Sequence, residues 1–289
     1  MKSVFPIPAL VLLALTGLPL AAHAACPTDA EAAAVAAAIV ARQPVPVPAG
    51  EMSVADGLCG RDKVVRYLAQ ISGPVVGYKA GLTNLAVQQR FKHDAPLRGT
   101  LFQGMLLRDG AELAVDYGIR PVFEADLVVE VADPAALAKA DTPLAALKAL
   151  KSYAPFIELP DLMVADPSKL GGAMLAMVNV GARAGVLGKA TPIQPSPGLA
   201  DTFATMTVTL TDATGAVLDT GKGSAILGNP LTAASWLARD LASAGIPLKR
   251  GDLLSLGSFT KLFPPKPGMA VTAKYEGLPG NPTVGVRFR

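Results

Sequence analysis

The sequence predicts an α+β domain of mixed β-sheets with a smaller helical N-terminal part, and three observations predict it. Residues 28–42, TDAEAAAVAAAIVAR, are alanine-rich with acids at the front and Arg42 at the back, the pattern of a helix. From residue 75 onward, short β-type runs dominate, at 75–80, 121–131, 205–211, 216–220, 253–257, 270–275 and 283–288. Helical patches at 82–91, 143–153 and 229–245 punctuate those runs. Neither an internal repeat nor a linker divides them, so the mature chain reads as one domain.

The elements follow in order. Residues 1–24 read as an export leader: Lys2 precedes an uncharged apolar stretch, and Ala22-His23-Ala24 has the small-x-small form of a signal-peptidase site, with cleavage expected after Ala24. A lipoprotein acylated at Cys26 is disfavoured by His23, where a small aliphatic side chain is wanted. A retained anchor is disfavoured by the shortness of the apolar stretch. The mature protein is therefore expected to be periplasmic or secreted, with no stable membrane insertion. An oxidising compartment permits the only two cysteines, Cys26 and Cys59, to pair, against the alternative of two unrelated thiols. The loop so closed would be worth about 3–4 kcal/mol in the chain-entropy model. QPVPVPAG (43–50) breaks the first helix into an extended connector, and a second helix is expected over 56–71. These make a helical part over 25–74, ahead of the main domain over 75–289. Within 229–245, Leu231, Trp236, Leu237 and Leu241 fall near one face and Gly245 marks the stop.

Composition prunes the chemistry. A formal net charge of +3 and 5% aromatics argue against a nucleic-acid partner. Once His23 leaves with the leader, His93 is the only histidine. That disfavours a histidine zinc site and a Ser-His-Asp triad. A metal site would be built from oxygen ligands and would suit Mg²⁺, Mn²⁺ or Ca²⁺.

Three stretches stand out chemically. VFEADLVVEV (122–131) read as a strand puts Glu124 and Asp126 on one face, about 6–7 Å apart at the backbone, with Phe123, Ala125, Leu127 and Val129 on the other. Two carboxylates losing hydration side by side call for a positive partner. APFIELPDLM (154–163) embeds Glu158 between Ile157 and Leu159, with Asp161 three residues on. Acids in two apolar strand-like runs fit either a hard-cation site or strand-end acids answered by Arg or Lys. In VVGYKAGLT (75–83), Lys79 lies between Gly77 and Gly81, where backbone can approach a ligand and a lysine can hold a carboxylate or an oxyanion.

The order GYKAGLT, FEAD, IELPD, then SAILGNPLTAASWLARDLASAGIPLKRGDLLSLGS and finally VGVRF resembles the 2-keto-4-pentenoate hydratase family of the fumarylacetoacetate hydrolase superfamily, from about residue 30 to the C-terminus. The resemblance implies a rolled, mixed β-sheet fold and a homo-oligomer. It implies Mg²⁺ or Mn²⁺ held by Glu124, Asp126 and Glu158, chelating the carboxylate and 2-oxo group of a small 2-oxo acid. It gives Lys79 the role of holding substrate and stabilising enolate charge, with Asp161 and Asn179 as further candidate catalytic residues. Gly81, Leu82, Arg98, Gly257 and Ser258 become candidate substrate-binding residues.

Four departures qualify the match. Asp126 stands where the family has a second Glu, and Pro96-Leu97-Arg98-Gly99 stands where hydratases often read P-D-F-G. Of a D-N-x-[AS] segment only Asn179 remains, and relatives mostly work in cytoplasmic catabolism of aromatic rings. The expected activity is a metal-dependent hydratase of 2-oxo or 2-hydroxydienoic acids. The alternatives are a 4-oxalocrotonate-type decarboxylase, with Arg98 meeting a second carboxylate; a C–C hydrolase; or a non-catalytic periplasmic ligand-binding relative.

Overall fold

The computed structural model describes Met1, residues 26–48 and residues 50–289; the expected leader and its cleavage site lie outside the described residues. The described chain opens with α1 (Asp29–Ala41) and α2 (Val54–Ser72). Each begins at a capping box, Thr28 with Glu31 and Ser53 with Asp56, in which the hydroxyl accepts an amide and the acid returns to the capping amide. α1 ends as Arg42 turns left-handed at φ 54°. A disulfide joins Cys26 to Cys59 and ties the segment before α1 to α2.

β1 (Val75–Gly81), α3 (Leu85–Arg90), β2 (Leu97–Phe102), β3 (Leu106–Arg108) and β4 (Ala111–Leu113) follow. Next come β5 (Glu124–Val131), α4 (Pro134–Lys139), α5 (Pro143–Lys148), β6 (Leu150–Leu159), α6 (Gly172–Met177), β7 (Ala184–Leu187) and β8 (Thr191–Pro192). The chain closes with α7 (Pro197–Thr205), β9 (Thr207–Asp212), β10 (Val217–Lys222), α8 (Pro230–Ser243), β11 (Leu253–Ser255), β12 (Ala270–Glu276) and β13 (Thr283–Phe288).

Two mixed sheets result. The larger runs β2-β1-β11-β5-β6-β7-β3 with β8 beside β6, and the smaller runs β10-β9-β12-β13-β4. One core is shared by the two sheets and α8, whose Leu231, Leu237 and Leu241 are fully buried. A second core brings Val35 and Ile39 of α1, Val64 and Leu68 of α2, and Met174 of α6 onto Phe102 of β2. The N-terminal helices are thus packed into the molecule. At Gly57 a Cβ would lie 2.2 Å from the Ala173 carbonyl oxygen, so only glycine lets α2 approach α6 this closely.

Two expectations change. The patch 143–153 is not one helix: α5 stops at Lys148, and Leu150 starts the ten-residue strand β6, because pairing with β5 and β7 outweighs a helix-forming local composition. β5 is also not half-exposed; its residues from Ala125 to Val129 are buried on both faces, as befits a central strand.

Candidate active site

The site forms where β1, β5 and β6 come together. Glu124 of β5 and Glu158 of β6 are directly opposed across the antiparallel pair. Lys79 of β1 is three strands from β6, about 14 Å on a flat sheet, and it is the curl of the sheet that lets its ammonium meet Glu158 Oε1. The same ammonium donates to the Val180 carbonyl at 3.1 Å. That carbonyl is aimed by two consecutive left-handed residues, Asn179 (φ 56°) and Val180 (φ 55°), a costly conformation for a β-branched side chain. The glycines around Lys79 allow this close packing, and Gly81 also lines the cavity. A Cβ on Gly77 would lie 1.9 Å from the Leu253 oxygen, one on Gly81 2.4 Å from Val180 Cγ1, and one on Gly99 2.8 Å from Lys79 Cγ.

Lys79, Glu124 and Glu158 line a cavity of about 730 Å³, together with Gly81, Leu82 and Ser258 from the sequence expectations. Burial and the facing Glu158 charge push Glu124 up to about 8, against the pull of Lys79 and a hydrogen bond from Ser258.

Five expected site residues lie elsewhere. Asp126 is fully buried and not on the cavity wall. One of its oxygens accepts the amides of Leu127, Leu256 and Gly257, and the other accepts the Ser255 hydroxyl at 2.6 Å, so the carboxylate is committed to the turn after β11. Burial and Glu158 nonetheless push its carboxyl up to about 7. Gly257, at φ 114°, sits behind the wall, where a Cβ would lie 2.0 Å from Thr83 Oγ1. Asp161 accepts the amides of Ile119 (2.9 Å) and Arg120 (2.8 Å) and braces that loop. Asn179 clamps the backbone of Thr100, accepting its N–H at 2.7 Å and donating to its carbonyl at 2.9 Å. Arg98 is 3% exposed and paired with Asp240 of α8, which pins β2 to that helix. Each of these polar groups is consumed by a partner distant in sequence.

The cavity also has members the sequence expectations lacked. Thr83, Thr260, Asp219, Arg90, Lys222 and Lys261 line it. The clustering of DTGK (219–222) and TKLF (260–263) at strand and loop ends was a signal for them, but a surface charge is the ordinary reading of such residues.

For a divalent cation, the donor set is decisive. Among the described residues, no three His, Cys, Asp or Glu side chains converge on a point. Of the three-acid set, Glu124 and Glu158 face the cavity, while Asp126 lies off its wall and is held by four protein donors. Two carboxylates facing a cavity, Glu158 buried and Glu124 half-buried, still fit Mg²⁺ or Mn²⁺, hard ions that complete their shells with water and substrate oxygens.

No family model matches the chain. The 2-keto-4-pentenoate hydratase of Burkholderia vietnamiensis is 31% identical over 210 residues, covering 71% of this chain and 75% of that protein. The 2-oxo-hept-4-ene-1,7-dioate hydratase of Escherichia coli is 26% identical over 233 residues, covering 79% and 85%. Among solved structures, 4-oxalocrotonate decarboxylase from Pseudomonas putida G7, complexed with magnesium and adipate, matches with a TM-score of 0.76 at 23% identity, over 92% of this chain and all of that one. That likeness is one of fold.

Proposed function

The chain belongs to the 2-keto-4-pentenoate hydratase family, and from that premise we propose a divalent-metal-dependent hydro-lyase that adds water to a 2-oxo or 2-hydroxydienoic acid such as 2-keto-4-pentenoate. The observation that carries the proposal is Lys79 set against the opposed Glu124–Glu158 pair in the cavity. Glu124 and Glu158 would hold Mg²⁺ or Mn²⁺, which when bound supplies a Lewis acid for the carboxylate and 2-oxo group of the substrate. The magnesium in the 4-oxalocrotonate decarboxylase structure supports the choice of cation.

The protein's own groups do the rest. The Lys79 ammonium has three N–H donors; Glu158 and Val180 take two, and the third is available to an oxygen on which enolate charge builds. Thr83 and Ser258 place hydroxyls on the wall for orienting water. Leu82, Leu162 and Phe259 keep bulk solvent from the diene. Arg98, the reason for considering a decarboxylase, is paired with Asp240 off the cavity. His93, the only histidine of the expected mature chain, packs against Gly172 and is also off the cavity wall.

The exported location is part of the same proposal, supported by the Cys26–Cys59 disulfide just after the expected cleavage site. A homo-oligomer is proposed too, as the family resemblance implies.

The test is a Mn²⁺ titration of the mature chain with and without oxalate, beside Glu124→Ala, followed by turnover of 2-hydroxypenta-2,4-dienoate read by ultraviolet absorbance. Expected are Mn²⁺ binding tightened by oxalate, loss of both in the variant, and decay of the diene absorbance. Absence of Mn²⁺ binding at millimolar concentration would refute the proposal.

A further inference from the structure

Tyr275 carries a hydroxyl into the apolar core. It lies on β12, the central strand of the smaller sheet, and is fully buried. Its ring enters the core shared by the two sheets, on the face of β5 that carries Phe123, Ala125 and Leu127. Glu124 and Asp126 point to the other face of that strand. A phenylalanine would fill the same apolar space, and a hydroxyl taken out of water costs stability unless it finds partners.

The partners it finds belong to the larger sheet. The Tyr275 hydroxyl accepts the Phe156 amide at 3.2 Å, and its proton is shared between the Phe156 carbonyl, at 2.9 Å, and the Asp126 carbonyl. Asp126 of β5 and Phe156 of β6 are directly opposed, so the phenol holds three of the four backbone polar groups of that pair. Glu124 and Glu158 are opposed two residues along the same strands. Burial pushes the phenol above its ordinary value, which keeps the proton in place.

The other edge of β5 is gripped at the same level. Ala125, between Glu124 and Asp126, donates its amide to Thr260 Oγ1 at 3.0 Å and accepts the Phe259 amide at 2.9 Å. Phe259 lines the cavity and meets the Tyr275 ring edge-on, with ring centres 6.1 Å apart. Tyr275 therefore bears on both grips: its hydroxyl on the edge toward β6, its ring on the loop along the opposite edge.

We propose that Tyr275 is a positioning residue for the cation site. Its hydroxyl fixes β5 against β6 at the Asp126–Phe156 pair and so sets the spacing of the Glu124 and Glu158 carboxylates. The inference rests on the divalent-metal reading above and adds a residue that lies off the cavity wall. A shift between the strands at one pair is carried to the next, and groups that orient metal ligands contribute to affinity without touching the ion.

The test is Tyr275→Phe, which removes one oxygen, beside Val271→Ala, which loosens the buried face of the same strand four residues away. Mn²⁺ alone is titrated into each mature chain. Its affinity is read from the paramagnetic resonance of the free ion, and the spectrum of the bound ion is recorded at low temperature. Tyr275→Phe is expected to fold, to bind Mn²⁺ about tenfold more weakly and to change the splitting of the bound-ion spectrum. Val271→Ala should lower the melting temperature at least as far and keep Mn²⁺ affinity within about twofold of the wild type. Wild-type affinity and spectrum in Tyr275→Phe, or an equal loss of affinity in Val271→Ala, would overturn the inference. The metal reading would survive that result as long as the wild type binds Mn²⁺ in a Glu124-dependent way. A Tyr275→Phe chain that does not fold would make the hydroxyl a requirement of the fold, and would overturn the inference too. Absence of Mn²⁺ binding by the wild type would bring down the metal reading and this inference together.

Discussion

Among the described residues, Lys79 is the one cation that answers the Glu124, Asp126 and Glu158 carboxylates, and its loss should show in both rate and stability. Lys79→Met would leave Glu158 without its ion-pair partner, beside Glu124 and Asp126. We expect turnover to fall by about 10²–10³-fold, as for removal of an oxyanion donor. We also expect the melting temperature to drop, because a buried carboxylate loses its only ion-pair partner. A variant that melts with the wild type would show that Lys79 is not balancing Glu158. Asp126 calls for the opposite experiment. Asp126→Asn can keep its oxygen for the three amides and donate its NH₂ to the Ser255 hydroxyl, which turns from donor to acceptor, so a loss of no more than about 1 kcal/mol in urea unfolding is expected. Mn²⁺ affinity should change by no more than a few-fold, whereas Glu124→Gln should abolish it. A loss of Mn²⁺ affinity in Asp126→Asn equal to that in Glu124→Gln would make Asp126 a ligand after all. The two-residue period of a strand placed Glu124 and Asp126 on one face. It had no means of showing that the 255–257 turn, far along the chain, consumes one of them.

Among elements, those with their own local signals were the readable ones. α1 carries a capping box and an alanine-rich run, α8 a cap and an apolar face, and both are found within two residues of the expected bounds. β6 was half missed because PLAALKALK favours helix locally and only the partners on either side make it a strand. β2 and α6 were missed as elements, since neither run has a clear period of its own. The Asn179–Val180 turn was legible only as an isolated asparagine, since its job is a long-range clamp on Thr100. Asn179→Ala would orphan a buried N–H and a buried C=O and put alanine in a left-handed position, at a cost of about 2–4 kcal/mol. Because the same turn aims the Val180 carbonyl at Lys79, the variant should lose kcat more than KM for a 2-hydroxydienoate. A variant with normal kcat and a lowered unfolding midpoint would confine Asn179 to stability.

At the scale of the whole molecule, the raised carboxylates couple folding to pH and to metal. Glu124 lies at about 8 and Asp126 at about 7 in the folded protein, against ordinary carboxylate values near 4 in the unfolded chain. Between those limits the folded state binds more protons than the unfolded one, so without a cation stability is greatest at the acidic end and falls as pH rises from about 5 to 8. A divalent cation requires the deprotonated pair, so its stabilisation grows over the same interval and binding releases protons. In EDTA, the melting temperature of the wild type should therefore fall by about 5 °C or more between pH 5 and 8 relative to Glu124→Gln, which cannot ionise at that position. Millimolar Mn²⁺ should flatten or reverse the wild-type slope and leave the variant unmoved. Proton release should also appear as a Mn²⁺ binding heat that changes with the ionisation enthalpy of the buffer. Matching slopes for the two proteins in EDTA would mean that Glu124 is ionised in the folded state without metal. The cavity would then present a fixed negative pair in place of a site that charges as its cation arrives.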